Sequence, residues 1–157
     1  MSSGFNHDKY NYLWSLPFAL LCSLEMGWSG FIVGGGSFLI GGFWLSPDLD
    51  ISSNPSRRWG PFKILWTPYR KLLRHRSILS HTFLLGTTSR LIYIATLLSL
   101  FLNLFSYAGF PLVNFDLFLS DNFVKTKIEI PLCAFIALEV SAWLHLLQDI
   151  NLFKKIW

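Results

Sequence analysis

All four histidines of this chain, and three of its aspartates, stand where long apolar segments begin or end, and both residue types are metal ligands. His145-Leu-Leu-Gln-Asp149 places an imidazole and a carboxylate one helical turn apart, on one face. A single rigid element can thus present both to one ion, or to two adjacent ions. Asp48 and Asp50 flank one residue in Pro47-Asp48-Leu49-Asp50, and in an extended backbone their side chains share a face. His75 and His81 span His75-Arg76-Ser77-Ile78-Leu79-Ser80-His81, too far for one helical face. A bend is expected between them, with Ser80 capping the next helix and His81 in its first turn. His7-Asp8 precedes the first apolar segment and can fold over such a site. Each pair also has a plainer reading. His145 and Asp149 suit a solvated or capped helix end, and Asp48 and Asp50 suit caps of a short helix after Pro47.

The elements that must position these residues are apolar. Of 157 residues, 52% are hydrophobic and 14% charged, against about 25% charged in soluble domains. The mean hydropathy is +0.44. Uncharged runs cover residues 26–47 and 91–115, each long enough for a membrane crossing of about 20 residues. A soluble all-α protein with a large core is the competing class. The expectation is an all-α, multi-pass membrane helical bundle forming one domain over residues 1–157. Its four helical segments fall near residues 12–26, 30–44, 82–105 and 130–152. Gly27 and Gly30 suit a short turn between the first two, and the glycines of the second let helices approach closely. If the segments run antiparallel, every end carrying a candidate ligand lies on one side.

The 51–80 linker is different in kind. It holds Arg57, Arg58, Lys63, Arg70, Lys71, Arg74 and Arg76 of the chain's 13 basic residues. Phe62, Leu65, Trp66, Tyr69, Leu72 and Leu73 recur between them at helical spacing, interrupted by Pro68. This pattern predicts an element lying along a membrane surface and contacting its lipids, beside the alternative of a basic loop that only sets topology. The positive-inside rule puts the linker in the cytoplasm, with Lys9, Lys154 and Lys155 on the same side. Both termini are then cytoplasmic in an inner-membrane protein. Net charge of +4 gathered beside a membrane argues for anionic lipid and against nucleic acid. No cleavable leader is expected: only Lys9 precedes the first apolar stretch, and no small-x-small site follows. Cys22 and Cys133 each stand alone in apolar surroundings, without Cys-x-x-Cys spacing.

The wording of the motifs carries a resemblance. The run Ser46-Pro-Asp-Leu-Asp50, Arg58-Trp-Gly-Pro61, Pro68-Tyr-Arg-Lys-Leu72, His75-Arg-Ser-x-x-Ser-His81 and Glu139-Val-Ser-Ala-Trp-Leu-His-x-x-x-Asp149, with Ser3-Gly4 and His7-Asp8, resembles an uncharacterised bacterial family of metal-binding proteins. That family is similar in turn to the membrane-bound metal-dependent hydrolases, and more distantly, in ligand type alone, to zinc phospholipase C. The resemblance implies a helical membrane protein with a metal centre at His7, Asp48, Asp50, His75, His81, His145 and Asp149.

Mixed imidazole and carboxylate donors suit one or two divalent ions, zinc first, with manganese or iron as alternatives. The chemistry expected is hydrolysis of a phosphoester or lipid-linked substrate near the membrane surface. Arg74 and Arg76, beside His75, can hold a phosphate. Glu139 interrupts the fourth segment about 9 Å below His145 and is a candidate general base. Pairing with Arg90, which interrupts the third, is its structural alternative. The non-catalytic alternative is a membrane protein whose metal is structural, sensed or handed on.

Overall fold

The computed structural model describes residues 4–73, 77–110 and 128–149. In chain order come α1 (Gly4–Phe43), a 3-10 turn (Pro47–Asp50), α2 (Asn54–Arg58), a second 3-10 stretch (Gly60–Trp66), α3 (Thr67–Leu72), α4 (Ile78–His81), α5 (Leu85–Tyr107) and α6 (Glu129–Asp149). The architecture is all-α, with no strand among the described residues. Three stretches are long and apolar enough to cross a membrane: Gly4–Asp50, Leu85–Tyr107 and Glu129–Asp149.

The first of these is a hairpin. Gly27 has φ 59° and ψ −141°, a left-handed conformation that glycine adopts without steric cost. The chain reverses there into limbs 4–26 and 28–43. Asn11 Nδ2 consequently donates to the Leu39 carbonyl at 3.4 Å, and the rings of Phe18 and Phe38 meet at 5.3 Å. The first limb starts at Gly4 rather than near residue 12, so His7 and Asp8 are helical and do not precede the helix. Apolar periodicity cannot see that polar first turn, which Arg58 holds by pairing with Asp8.

Small residues set the spacing of the bundle. A Cβ on Gly35 would stand 2.8 Å from Ala19 Cβ, and one on Gly41 would press the Leu138 backbone at 3.2 Å. The 28–43 limb is therefore close-packed on the first limb and on α6. α6 runs antiparallel to the first limb, with Ser141 Oγ donating to Asn11 Oδ1 at 3.0 Å. Outward faces remain apolar: Leu24 is 79% exposed and Trp28 80%.

The basic linker folds inward rather than lying wholly along a surface. Leu49, Trp66 and Tyr69 form a buried cluster, with Trp59 and Tyr93 packed against it. Trp66 and Tyr69 meet edge-on at 5.4 Å, and Trp59 and Trp66 at 5.3 Å. Phe62, Ile64, Leu65 and Leu72 stay exposed, so only part of the expected amphipathic set faces outward. Pro68 occupies the first turn of α3, where its missing N–H is tolerated.

The expected start of the third long helix is also corrected. His81 ends the short α4, whose N-cap is Ser77, and Leu84 (φ 62°) breaks the chain before α5. Ser80 therefore caps no long helix. Such a left-handed non-glycine residue stores about 1–3 kcal/mol of strain. Gly86 permits the fold-back, since a Cβ there would lie 2.9 Å from the Ser80 carbonyl oxygen.

The hairpin makes a sharp prediction. A Cβ on Gly30 would stand 2.2 Å from the Cys22 carbonyl oxygen, whereas nothing lies within 4 Å of one on Gly36. Gly30→Val should lower stability by about 1–3 kcal/mol through overpacking. Gly36→Ala should be neutral or slightly stabilising. Thermal melts of detergent-purified variants, followed by circular dichroism, check both. Equal melting of the two would contradict the close packing of the limbs.

Candidate metal centre

Four elements deliver the candidate ligands to one end of the bundle. The first turns of α1 bring His7, the 3-10 turn brings Asp48 and Asp50, α4 brings His81, and the end of α6 brings His145 and Asp149. His7 Nε2 lies 3.4 Å from Asp149 Oδ1, and the His7 and His145 rings stack at 4.0 Å. His145 Nε2 is 3.3 Å from Asp48 Oδ2 and 4.0 Å from Asp149 Oδ2. Asp48 Oδ1 is 3.9 Å from His81 Nε2, and Asp50 Oδ2 is 3.4 Å from His81 Nδ1. His7, Asp48, Asp50, His81, His145 and Asp149 are thus brought together. His75, with Arg74 and Arg76, lies outside the described residues.

The arrangement sorts the donors. Asp48 and Asp50 sit within a 3-10 turn, neither extended nor serving as caps. Ser46 does the capping and takes the Asp48 N–H at 3.5 Å. Its hydroxyl also lies 3.4 Å from His145 Nδ1. At His81, Nδ1 meets both Ser80 Oγ, at 3.0 Å, and Asp50. In both residues one ring nitrogen is held by a protein oxygen while Nε2 faces the shared Asp48. This is how supporting groups fix the tautomer and aim of a ligating histidine.

The site passes a test of fit for a cation. His145 Nε2 and His7 Nδ1 are buried yet make no hydrogen bond. Leaving such atoms unpaired is costly, and here Nε2 points at two carboxylates. Donor atoms of His7, His145 and Asp149 all lie within 4.8 Å of one another. Ligands about 2.0–2.2 Å from one tetrahedral zinc stand roughly 3.3–3.6 Å apart. The His7–Asp149 and His145–Asp48 contacts match that edge length, and the His145–Asp149 and His81–Asp48 contacts are longer, at 4.0 and 3.9 Å.

A cavity of about 200 Å³ opens on these residues, lined among others by His7, Asp48, His145, Asp8 and Arg57. Asp8 is paired with Arg58, whose guanidinium also donates to the Phe43 carbonyl and sits 4.7 Å from the Phe43 ring centre. Arg57 is exposed at the cavity wall. Neither arginine stood out as a site residue in the sequence, although Arg58 opens one of the recognisable motifs.

Glu139 lies elsewhere. It is buried, and its Oε2 accepts a hydrogen bond from Trp143 Nε1 at 2.8 Å, one turn along α6. No ion pair joins it to Arg90 among the described residues. Arg90 is itself buried and donates to Thr87 Oγ1 at 2.9 Å. The expected Glu139–Arg90 pair is therefore not formed, and Glu139 does not contact the ligand cluster.

With this geometry in place, sequence comparison supplies the family. The pattern described as "Uncharacterized metal-binding protein (DUF2227)" matches residues 2–155. The chain belongs to that family. An "Uncharacterized protein" of Aquifex aeolicus (strain VF5) is 48% identical over 58 residues, covering 36% of this chain and 40% of that protein. The chain thus spans well under half the length of that curated relative. No solved structure matches.

Membership makes this a metal-binding protein, and the His/Asp cluster is where the described residues can hold an ion. His145→Ala should remove bound metal, and Ser46→Ala should weaken affinity about 10–100-fold by freeing the His145 ring. Glu139→Gln should leave metal in place. Elemental analysis of detergent-purified protein reads all three. Equal metal in wild type and His145→Ala would rule out this cluster.

Proposed function

We propose that this chain is a single-domain, inner-membrane hydrolase that uses one or two divalent ions, zinc first, to cleave a phosphoester or lipid-linked substrate at the cytoplasmic surface. The observation that carries this reading is the open cavity. His145, Asp48 and Arg57 line the same space, so candidate ligands and a cationic side chain share one chamber. A closed structural zinc site takes four protein ligands and leaves no such opening.

When bound, such an ion supplies Lewis acidity to a phosphoryl or carbonyl oxygen and lowers the pKa of water. The chain's own residues do the rest. Ser46 and Asp50 hold the imidazoles in register, and Arg57 meets an anionic substrate group, with Arg74 and Arg76, which flank His75 in sequence, as further candidates for that role. An aspartate at the cavity accepts the proton in preference to Glu139, whose contact is with Trp143.

Membrane crossing is supported by the apolar outer faces and by how exposed polar groups are satisfied. Ser15, Ser23 and Ser29 donate to carbonyls three residues back, at 2.7–2.8 Å, as hydroxyls in an apolar medium must. The two limbs of α1 with α5 and α6 would make four crossings, placing both termini and the His/Asp cluster on the basic, cytoplasmic side. Lipid is then the surrounding partner, and nucleic acid is not.

The second reading, a metal-handling or structural role, draws on the family description, which speaks of metal binding alone. Two measurements separate the proposals. A topology reporter after Trp157 should be cytoplasmic, and one at Asp121 outside; a cytoplasmic signal at Asp121 would reject four crossings. On a phosphoesterase and lipid-substrate panel, metal-loaded wild type should turn over at least one class, and His145→Ala should lose more than about 100-fold. Glu139→Gln should stay within a few-fold but melt lower. Stoichiometric metal with no turnover on any substrate would favour the metal-handling role.

A further inference from the structure

The two cysteines, each alone in its stretch of sequence, meet in space. Cys22 lies on the first limb of α1 and Cys133 on α6, and the antiparallel packing of these helices brings them together at Gly34. A Cβ on Gly34 would stand 2.6 Å from Cys22 Sγ and 3.6 Å from Cys133 Sγ, so both sulfurs crowd the space its missing side chain leaves. Both are free thiols, and their side chains interact. They line a mainly apolar cavity of about 440 Å³ whose wall also includes Glu25, Met26 and Glu129, with no basic residue among the described lining. Glu25 follows Cys22 by one helical turn and Glu129 precedes Cys133 by one, so the carboxylates and thiols share one groove. This groove is at the other end of the bundle. Cys22 is roughly 22 Å from His7 along the helix, at 1.5 Å per residue.

We propose that Cys22 and Cys133 form a second metal site, a two-thiolate clamp for cuprous ion, with Glu25 and Glu129 drawing cations to its mouth. Soft thiolates select a soft monovalent cation, and two sulfurs from opposed helices satisfy its low coordination number. Hard ions would find oxygen donors only in Glu25 and Glu129 among the described lining, fewer than the roughly six or more that calcium takes. Binding forms two sulfur–copper bonds and releases one proton from each thiol to solvent, with no change of oxidation state. The two carboxylates on one groove favour cation entry and repel anions.

The test uses reduced, metal-free, full-length protein in detergent, with cuprous ion delivered from a chromogenic chelator. Wild type should withdraw one equivalent from the chelator while both cysteines become protected from maleimide. Cys22→Ser and Cys133→Ser, checked for retained helicity, should each lose that equivalent. Glu25→Gln with Glu129→Gln should keep the stoichiometry and weaken affinity several-fold. His145→Ala should retain the thiol-protected equivalent, which separates this site from the His/Asp cluster. Thiols equally reactive with and without copper, or copper undiminished in both serine variants, would overturn the proposal. A Cys22–Cys133 disulfide formed by a mild oxidant such as diamide, with no copper taken up by the reduced pair, would overturn it too and assign a cross-link instead.

Discussion

Three carboxylates, those of Asp48, Asp50 and Asp149, are drawn among three imidazoles in a volume from which much of the water is excluded. Two like charges 4 Å apart repel by about 4 kcal/mol at an effective dielectric of 20, far more than in water, so carboxylates gathered in one site need a counter-charge. Burying them is tolerable only with matched positive charge and hydrogen bonds. Imidazole nitrogens supply part of that match, and the unpaired Nε2 of His145 marks where it is incomplete. The surrounding fold holds this cluster together. Gly27 reverses α1 so that the 28–43 limb leads directly into the aspartates, and α6 runs back along the first limb so that His145 and Asp149 reach His7.

The short turn bearing Asp48 and Asp50 has little strength of its own, since 3-10 hydrogen bonds are poorly aligned. Its anchor is Leu49, which is fully buried against Trp66 and Tyr69 while the flanking aspartates turn toward the histidines. Burying one leucine contributes about 1.5–3 kcal/mol. Arg70 Nε adds a hydrogen bond to the Leu49 carbonyl at 3.2 Å, and its terminal nitrogen reaches Ser56. The linker therefore serves as the platform on which the aspartates stand. Its aromatic residues and its arginine supply that support from within the sequence that first reads as a surface element.

Local periodicity made some of this legible. His145 and Asp149 share a face because four residues span one turn, and the apolar segments with Gly27 between the first two foretold the hairpin. Contacts distant in sequence were not legible. Ser46 reaches His145 across 99 residues, and Arg58 reaches Asp8 across 50, and neither leaves a periodic trace. The break at Leu84 was invisible because leucine ordinarily avoids positive φ, and only the packing of α4 on α5 through Gly86 accounts for it. Cys22 and Cys133 read as isolated because their meeting depends on the register of two helices, which no single segment encodes. Glu139 drew attention as a buried charge, yet its neighbour is Trp143 on its own helix.

The number of donors bears on what the cluster can do. Asp50 is engaged at Nδ1 of His81, on the ring edge away from Asp48, and so acts as a support behind that histidine. The groups facing the common space are then His7, His81, His145, Asp48 and Asp149. His7, His145 and Asp149 form one tight set, and His81 forms the other side, with Asp48 between His81 and His145. Five such groups exceed the four protein ligands of a closed zinc site, so the cluster could hold one or two ions. One ion held by four of these groups would leave a carboxylate or imidazole free beside it to move a proton. In both cases spare coordinating or proton-accepting capacity faces a cavity with Arg57 at its wall. A site meant only to staple helices has no use for that surplus. Under the hydrolase proposal, Asp48, between His81 and His145, is the residue through which that surplus would act.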